Sequence, residues 1–184
     1  MRIVGGELRG FPIHFPDDRR IRPTQDKLRQ AVFNVLGPLQ NITFLDLFSG
    51  TGAVGFEAFS RGAHRVVLVD QVTKWIQKNH EGIRQRLVQA SRDQEFANAV
   101  HIMTGDAHQI LPEVGTMDII YLDPPWTHLP YFDTMLRMIH EYGVLSHNGR
   151  VVIEHPPTIT INPWGLVPFF GRVYGNTAIT MVKP

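Results

Sequence analysis

Two stretches of this 184-residue chain combine residue types and spacing that can do chemistry. The first is Asp46-Leu47-Phe48-Ser49-Gly50-Thr51-Gly52-Ala53-Val54-Gly55, where an apolar run gives way to a glycine loop. Glycines after a strand let the backbone turn sharply and approach a ligand closely. Asp70, about 20 residues beyond Gly50, ends the next apolar run, where a carboxylate can accept both hydroxyls of a ribose. Together they describe a pocket for an adenosine-containing cofactor. Gly50, Gly52 and Gly55 match the dinucleotide fingerprint, so NAD and S-adenosylmethionine both fit this much of the pattern. Asp46 favours the second on electrostatic grounds. A dinucleotide sets its pyrophosphate at the helix N-terminus, where a carboxylate ending the first strand would oppose it, whereas a sulfonium with an ammonium group would welcome that carboxylate.

The second stretch is Asp123-Pro124-Pro125-Trp126, directly after another apolar run. Two consecutive prolines fix φ near −65°, remove two N–H donors and hold the preceding residue extended. The result is a stiff loop that aims the Asp123 carboxylate and the Pro124 carbonyl, with the flat Trp126 ring beside them. Two acceptors and a stacking face suit an exocyclic amino group on a nucleobase. Such an amine is a poor nucleophile because its lone pair is delocalised into the ring. Hydrogen bonds to Asp123 and Pro124 would favour a pyramidal nitrogen with its lone pair aimed at a methyl sulfonium, so catalysis would be mainly positioning and electrostatics.

The elements that must position these loops alternate. After two short strand-like pieces in residues 2–15 and a charged turn at Asp17-Asp18-Arg19-Arg20, Thr24 can cap a helix whose apolar stripe is Leu28, Ala31, Val32, Val35 and Leu36. Apolar runs at 43–48, 65–69, 100–103, 117–122 and 150–154 then alternate with helix-like segments at 53–61, around Trp75, Ile76, Ile83 and Leu87, and at 132–140. Such alternation predicts an α/β fold with a mostly parallel sheet and crossovers on both faces, in which ligands sit at the carboxyl ends of the strands. Asp46, Asp70, Asp106, Asp123 and Glu154 all fall at or just after such ends. The tail, 166–174 and 178–182 joined across Gly175-Asn176-Thr177, reads as an antiparallel hairpin finishing the sheet. Length and composition predict one domain, residues 1–184, with 1–37 as an N-terminal hairpin and helix extension and 38–184 as the catalytic core.

Charge divides along the chain. Residues 1–92 hold 14 basic and 8 acidic side chains and residues 93–184 hold 4 and 9, so a +6 half and a −5 half lie behind a net +1. The near-balance excludes a histone-like binder, while the asymmetry points to an anionic partner for one face. Arg2, Arg9, Arg19, Arg20, Arg22, Lys27 and Arg29 suit phosphate contacts that position RNA, whereas Lys74, Lys78, Arg84, Arg86 and Arg92 read mainly as a solvated helix face. There is no cysteine, which removes disulfides, thiolate zinc sites and thiol nucleophiles. The nine histidines lack the spacing of a zinc helix, and no metal is expected. Charges interrupt the N-terminus and no run reaches the roughly 18 apolar residues of a membrane span, so no signal peptide, no membrane and a cytoplasmic setting are expected. Trp75 and Met103, Met117, Met135 and Met138 read as core.

Over nearly its whole length the chain resembles the bacterial RsmD-type 16S rRNA (guanine-N2)-methyltransferases of the class I S-adenosylmethionine-dependent fold. The resemblance is carried by the Met1-Arg2-Ile3-Val4-Gly5-Gly6 opening, the Arg22-Pro23-Thr24 helix entry, the loop from Asp46 through Gly55 running on to Ser60-Arg61-Gly62-Ala63, Asp123-Pro124-Pro125-Trp126, and Tyr174-Gly175-Asn176-Thr177. It implies a Rossmann-like, mostly parallel seven-stranded sheet with a C-terminal antiparallel hairpin and a small N-terminal β-hairpin and helix. Asp46, Phe48, Ser49, Gly50 and Gly52 would hold the methionine end of S-adenosylmethionine, Asp70 and Gln71 the ribose, and Asp106 and Ala107 the adenine. Asp123 to Trp126 would grip the guanine amino group, and Arg20, Arg22, Thr24 and Trp126 would meet the RNA. The implied product is S-adenosylhomocysteine and the implied partner small-subunit rRNA in an assembling or assembled 30S particle, met by a monomer. Asp70 stands where that family commonly has Glu and Trp126 where Tyr or Phe is frequent, exchanges that keep charge and stacking. The residues alone leave open an adenine-N6 methyltransferase on DNA or RNA, a NAD-dependent oxidoreductase and a non-catalytic RNA-binding module.

Overall fold

The computed structural model describes residues 1–15 and 26–184. Its centre is one seven-stranded sheet of order β3-β2-β1-β4-β5-β7-β6. The strands are β1 (Thr43–Asp46), β2 (Arg65–Asp70), β3 (Val100–Thr104), β4 (Met117–Leu122), β5 (Leu145–His155), β6 (Val167–Tyr174) and β7 (Thr177–Lys183). The first five run parallel to one another, and β7 runs antiparallel to both β5 and β6. The helices are α1 (Asp26–Leu36), α2 (Ala53–Ser60), α3 (Lys74–Val88), α4 (Asp93–Ala99), α5 (Ala107–Ile110), which runs into a 3-10 turn at Leu111–Glu113, and α6 (Pro130–Tyr142).

The apolar runs become central strands because both faces are covered. Along β1, β2 and β4, Phe44, Val66, Leu68, Ile119 and Tyr121 face a core shared with α1 to α4, while Leu45, Val67, Val69, Ile120 and Leu122 face a second core built on α5 and α6. A side chain alternates face at every residue, so a strand buried on both sides needs no polar position until it ends. The rule has a useful consequence at the carboxyl edge. Asp46 pairs in register with both Leu68 and Tyr121, and Leu122 pairs with Ile153. Asp46, Asp70, Asp123 and Glu154 therefore emerge on the same face of the sheet, the one that carries α1 to α4.

Three expectations need correction. The stripe on α1 is Leu28, Arg29, Val32, Phe33 and Leu36, with Val35 exposed and Ala31 half-buried. Phe33 turns inward to stack on Phe44 at 6.0 Å, and Arg29 follows it because Glu57 waits in the core. An additional helix, α4, lies between α3 and β3, and its Phe96 wedges among Phe56, Phe59 and His80. The N-terminal hairpin is a single bridge, Arg2 to Pro12, supported by bonds from Ile3 N to the Phe11 carbonyl and from Ile13 N to the Met1 carbonyl, rather than two strands. The capping residue Thr24 lies outside the described residues, as do Arg20 and Arg22. Among the described residues no helix is long and apolar enough to cross a membrane.

Candidate functional site

The glycine loop is built from the inside out. Ser49, 7% exposed, donates its Oγ to the Asp46 carbonyl at 2.7 Å and accepts the Val69 N–H at 2.9 Å, while its own N–H bonds the Val69 carbonyl at 2.9 Å. One hydroxyl thus locks the loop between β1 and β2. Gly50 (φ 55°) and Gly52 (φ 80°) carry the chain through left-handed conformations into α2. A Cβ at Gly55 would fall 2.1 Å from a Leu68 methyl, so helix and strand pack closer here than any side chain permits. A Cβ at Gly50 would meet no protein atom within 4 Å, because that face opens into the cleft.

Carboxylates organise the loop's surroundings. Asp70 accepts N–H bonds from Gly50 at 2.8 Å and Val72 at 2.9 Å, one on each oxygen, so it orients the loop while lining the cleft. Asp46 is 2% exposed and accepts the Gly55 N–H at 3.3 Å. Burial pushes its pKa up to about 7, with the nearby Asp70 and Glu154 charges adding to the effect and the Gly55 and Phe48 N–H groups opposing it. Asp106 caps α5 by accepting the His108 N–H at 2.9 Å, and Gln71 donates to its other oxygen at 2.9 Å. The His108 N–H leads the hydrogen bonds that hold the Asp106 carboxyl below its ordinary value.

These elements border a cleft of about 870 Å³ at the carboxyl ends of the strands. On one side lie Phe48, Gly50, Asp70, Gln71, Asp106 and Ala107, and on the other Asp123, Pro124, Pro125 and Trp126. Pro124 is buried and Asp123 half-buried, and the Pro125 carbonyl accepts the His128 N–H at 2.9 Å, which folds the chain back toward α6. Asp46, Ser49 and Gly52 do not line the cleft; they stand behind its wall and hold it. Arg20, Arg22 and Thr24 lie outside the described residues.

Other residues join the site without having been expected there. Trp75 is half-buried and lines the cleft rather than filling the core, with the Lys74 and Lys78 ammonium groups 5.9 and 5.3 Å from its ring. The signal for it was positional: the buried stripe of α3 is Ile76, Asn79, Ile83 and Leu87, and Trp75 falls one residue outside that stripe. Two lysines that read as a solvated face thereby flank a ring that lines the cleft. Tyr131 also lines the cleft, edge-on to Phe48 at 5.7 Å and against His108 at 4.8 Å. Glu154, which its strand end had marked, lines the cleft, is 5% exposed and accepts the Tyr121 hydroxyl at 2.7 Å.

Asp70, Asp123 and Glu154 line the cleft from one sheet face, and Asp46 stands behind them on the same face. The glycine wall of the cleft admits close backbone contact, and its Pro-Pro wall offers acceptors and an aromatic ring. Among the described residues no group of three His, Asp or Glu side chains is placed to hold a metal ion.

A family model described as conserved hypothetical protein 95 matches residues 1–183. Ribosomal RNA small subunit methyltransferase D of Escherichia coli K12 is 29% identical over 173 residues, covering 90% of this chain and 82% of that protein. The solved structure of the Thermus thermophilus protein TTHA0928 is 26% identical, with a TM-score of 0.76 over 100% of this chain and 99% of that one. SMU.776, solved as a complex with SAH, is 17% identical with a TM-score of 0.60 over 89% of this chain and 50% of that one, a likeness of fold alone.

Proposed function

The chain belongs to the conserved hypothetical protein 95 family, the family of the RsmD-type rRNA methyltransferases, and from that premise we propose that it moves a methyl group from S-adenosylmethionine to the N2 of one guanine in small-subunit rRNA. The observation that carries the reading is the placement of Asp123-Pro124-Pro125-Trp126 across one cleft from Gly50 and Asp70. The cleft fits an adenosine-containing ligand: Gly50 leaves a space that any Cβ would fill, and the Asp70, Asp123 and Glu154 side chains line it. Bound there, S-adenosylmethionine supplies an electrophilic methyl group on sulfur.

The chain's own residues do the rest. Asp70 accepts from the ribose hydroxyls with Gln71 beside it, Asp106 and Ala107 border the adenine, and Phe48 and Gly50 flank the methionine portion. Asp46, although behind the wall, faces the ammonium end through its charge. Asp123 and the Pro124 carbonyl accept the two amine protons of the guanine, which turns the nitrogen lone pair toward the methyl, and Trp126 stacks on the base. As the N–CH3 bond forms and the methyl–sulfur bond breaks to leave S-adenosylhomocysteine, the nitrogen loses one proton through the Asp123 carboxylate to solvent. Arg20, Arg22 and Thr24 are assigned to RNA contact, to which the exposed Arg2 and neighbouring Arg9 and Lys27 add positive charge around a shallow recess. On this reading residues 38–184 are the catalytic core and 1–37 an extension, acting in the cytoplasm as a monomer on a 30S particle that supplies the remaining contacts.

The direct test is transfer of labelled methyl to small-subunit rRNA, free and in 30S particles, with mass mapping of the modified nucleotide. N2-methylguanine at one position is expected; methyladenine, or no incorporation, overturns the reading.

Asp46 adds a pH signature. A cation beside it favours the carboxylate, so cofactor binding lowers a pKa that stands near 7 in the free protein and releases a proton. Affinity for S-adenosylhomocysteine should therefore rise as pH climbs from about 5.5 to 7, by up to about tenfold per unit, and level off above. The sign is reversed for the free protein's stability, because a raised carboxyl pKa contributes most at low pH and that contribution is lost as pH rises through 7. Calorimetric titration across this range checks the first effect, and Asp46→Asn should flatten it.

A further inference from the structure

We propose that Glu154 selects the base, accepting the N1–H of guanine beside the amine that Asp123 holds, and so excludes purines whose N1 carries no proton. The inference rests on the guanine-N2 reading and names a residue that reading does not use. Because Leu122 pairs with Ile153, Asp123 and Glu154 follow at the same level of adjacent parallel strands and on the same sheet face. Both line the cleft, together with Trp126. The Tyr121 hydroxyl, on β4, donates to Glu154 Oε2 at 2.7 Å, which helps to orient the carboxylate. Tyr121 itself is 1% exposed and Glu154 5%, so the tether belongs to the floor of the site rather than its rim.

The chemistry of the purine edge decides what such a group can read. Guanine presents two donors side by side, N1–H and N2–H. Adenine and 2,6-diaminopurine present an unprotonated N1, an acceptor, beside their amines. An ionised carboxylate only accepts. Two carboxylates on neighbouring strands therefore match the paired donors of guanine, while a purine with an N1 lone pair would bring that lone pair against Glu154 in a poorly hydrated place. Asp123 alone does not discriminate, since either class of base offers it an amine proton.

The test uses the full chain and its RNA or 30S substrate carrying either guanine or 2,6-diaminopurine at the methylated position, since both bases have the 2-amino group. Wild-type protein should favour guanine in kcat/KM by about 100-fold. Glu154→Gln, whose amide can donate to an unprotonated N1, should shrink that preference to about tenfold or less by slowing guanine and speeding diaminopurine. Tyr121→Phe, which releases the tether and keeps the ring, should narrow the preference by a smaller factor and tests the proposal even if the Gln variant folds poorly. Equal use of the two bases by wild-type protein, or an undiminished preference in Glu154→Gln, overturns the proposal while leaving guanine-N2 transfer intact. Failure of wild-type protein to methylate guanine at all removes the reading beneath it.

Discussion

Replacing Asp123 by alanine is expected to lower methyl transfer by about 10²- to 10³-fold while leaving the dissociation constant of S-adenosylhomocysteine nearly unchanged. The magnitude follows from the role: removing one preorganised acceptor from a site whose chemistry is positioning and electrostatics costs about 3–4 kcal/mol of transition-state stabilisation. The separation of the two readouts follows from the geometry. Asp123 enters the cleft from the end of β4 on a stiff Pro-Pro turn, whereas the groups assigned to the adenosine, Asp70, Gln71 and Asp106, come from β2, the segment after it and the loop before α5. Asp123→Asn keeps one acceptor oxygen and places an N–H beside it, so it should retain part of the rate but no more than a few per cent. Single-turnover transfer and calorimetry on the same preparations decide the matter. Turnover within about threefold of wild type would remove Asp123 from the reaction, and a parallel collapse of cofactor affinity would reassign it to binding.

Much of this arrangement was legible in the sequence, for a physical reason. Parallel strands buried on both faces read as unbroken apolar runs, and the first polar residue after each run marks the edge where ligands gather. Asp46, Asp70, Asp123 and Glu154 could be picked out in that way, and the Pro-Pro turn carried its own stiffness. What stayed hidden depends on pairing across the sheet. That Glu154 stands beside Asp123 needs the Leu122–Ile153 register, which no local pattern encodes. Trp75 has the composition of a core residue, and only its offset of one position from the α3 stripe places it in the cleft. The seven residues of α4 are too short to show helical periodicity, and the helix exists because Phe96 fills a gap among rings from α2 and α3. The apolar face of α1 was misassigned because Arg29 is 1% exposed, and a buried arginine is credible only once its carboxylate is found 28 residues away.

That carboxylate, Glu57, gives the largest stability effect expected of a single substitution. Glu57 is fully buried in α2, immediately beyond the glycine loop, and Arg29 reaches one of its oxygens at 3.4 Å while Arg61 reaches the other at 2.7 Å. The same Oε2 accepts the Val4 N–H at 2.7 Å, and Arg29 also bonds the Arg2 carbonyl and Asp26, so the N-terminal segment, α1 and α2 meet on one side chain. Glu57→Ala would leave a buried guanidinium beside a second one that already has a buried Nη2 without a hydrogen-bond partner. Breaking such a pair from one side costs about 3–5 kcal/mol, since the desolvation of the remaining charge is no longer offset. For a chain of this length that is a fall in Tm of roughly 6–20 °C. The cost lies in the buried charge left under-compensated, above all at Arg61, and not in the absence of an attraction that was strongly favourable on balance. Replacing the whole triad, Arg29→Met with Glu57→Leu and Arg61→Leu, should therefore recover most of the stability that Glu57→Ala loses. Thermal unfolding of wild type, Glu57→Ala and the triple variant separates the possibilities. A single variant that melts within about 2 °C of wild type would mean that solvent reaches these arginines, and a triple variant less stable than the single one would mean that the ion pairs stabilise the junction outright.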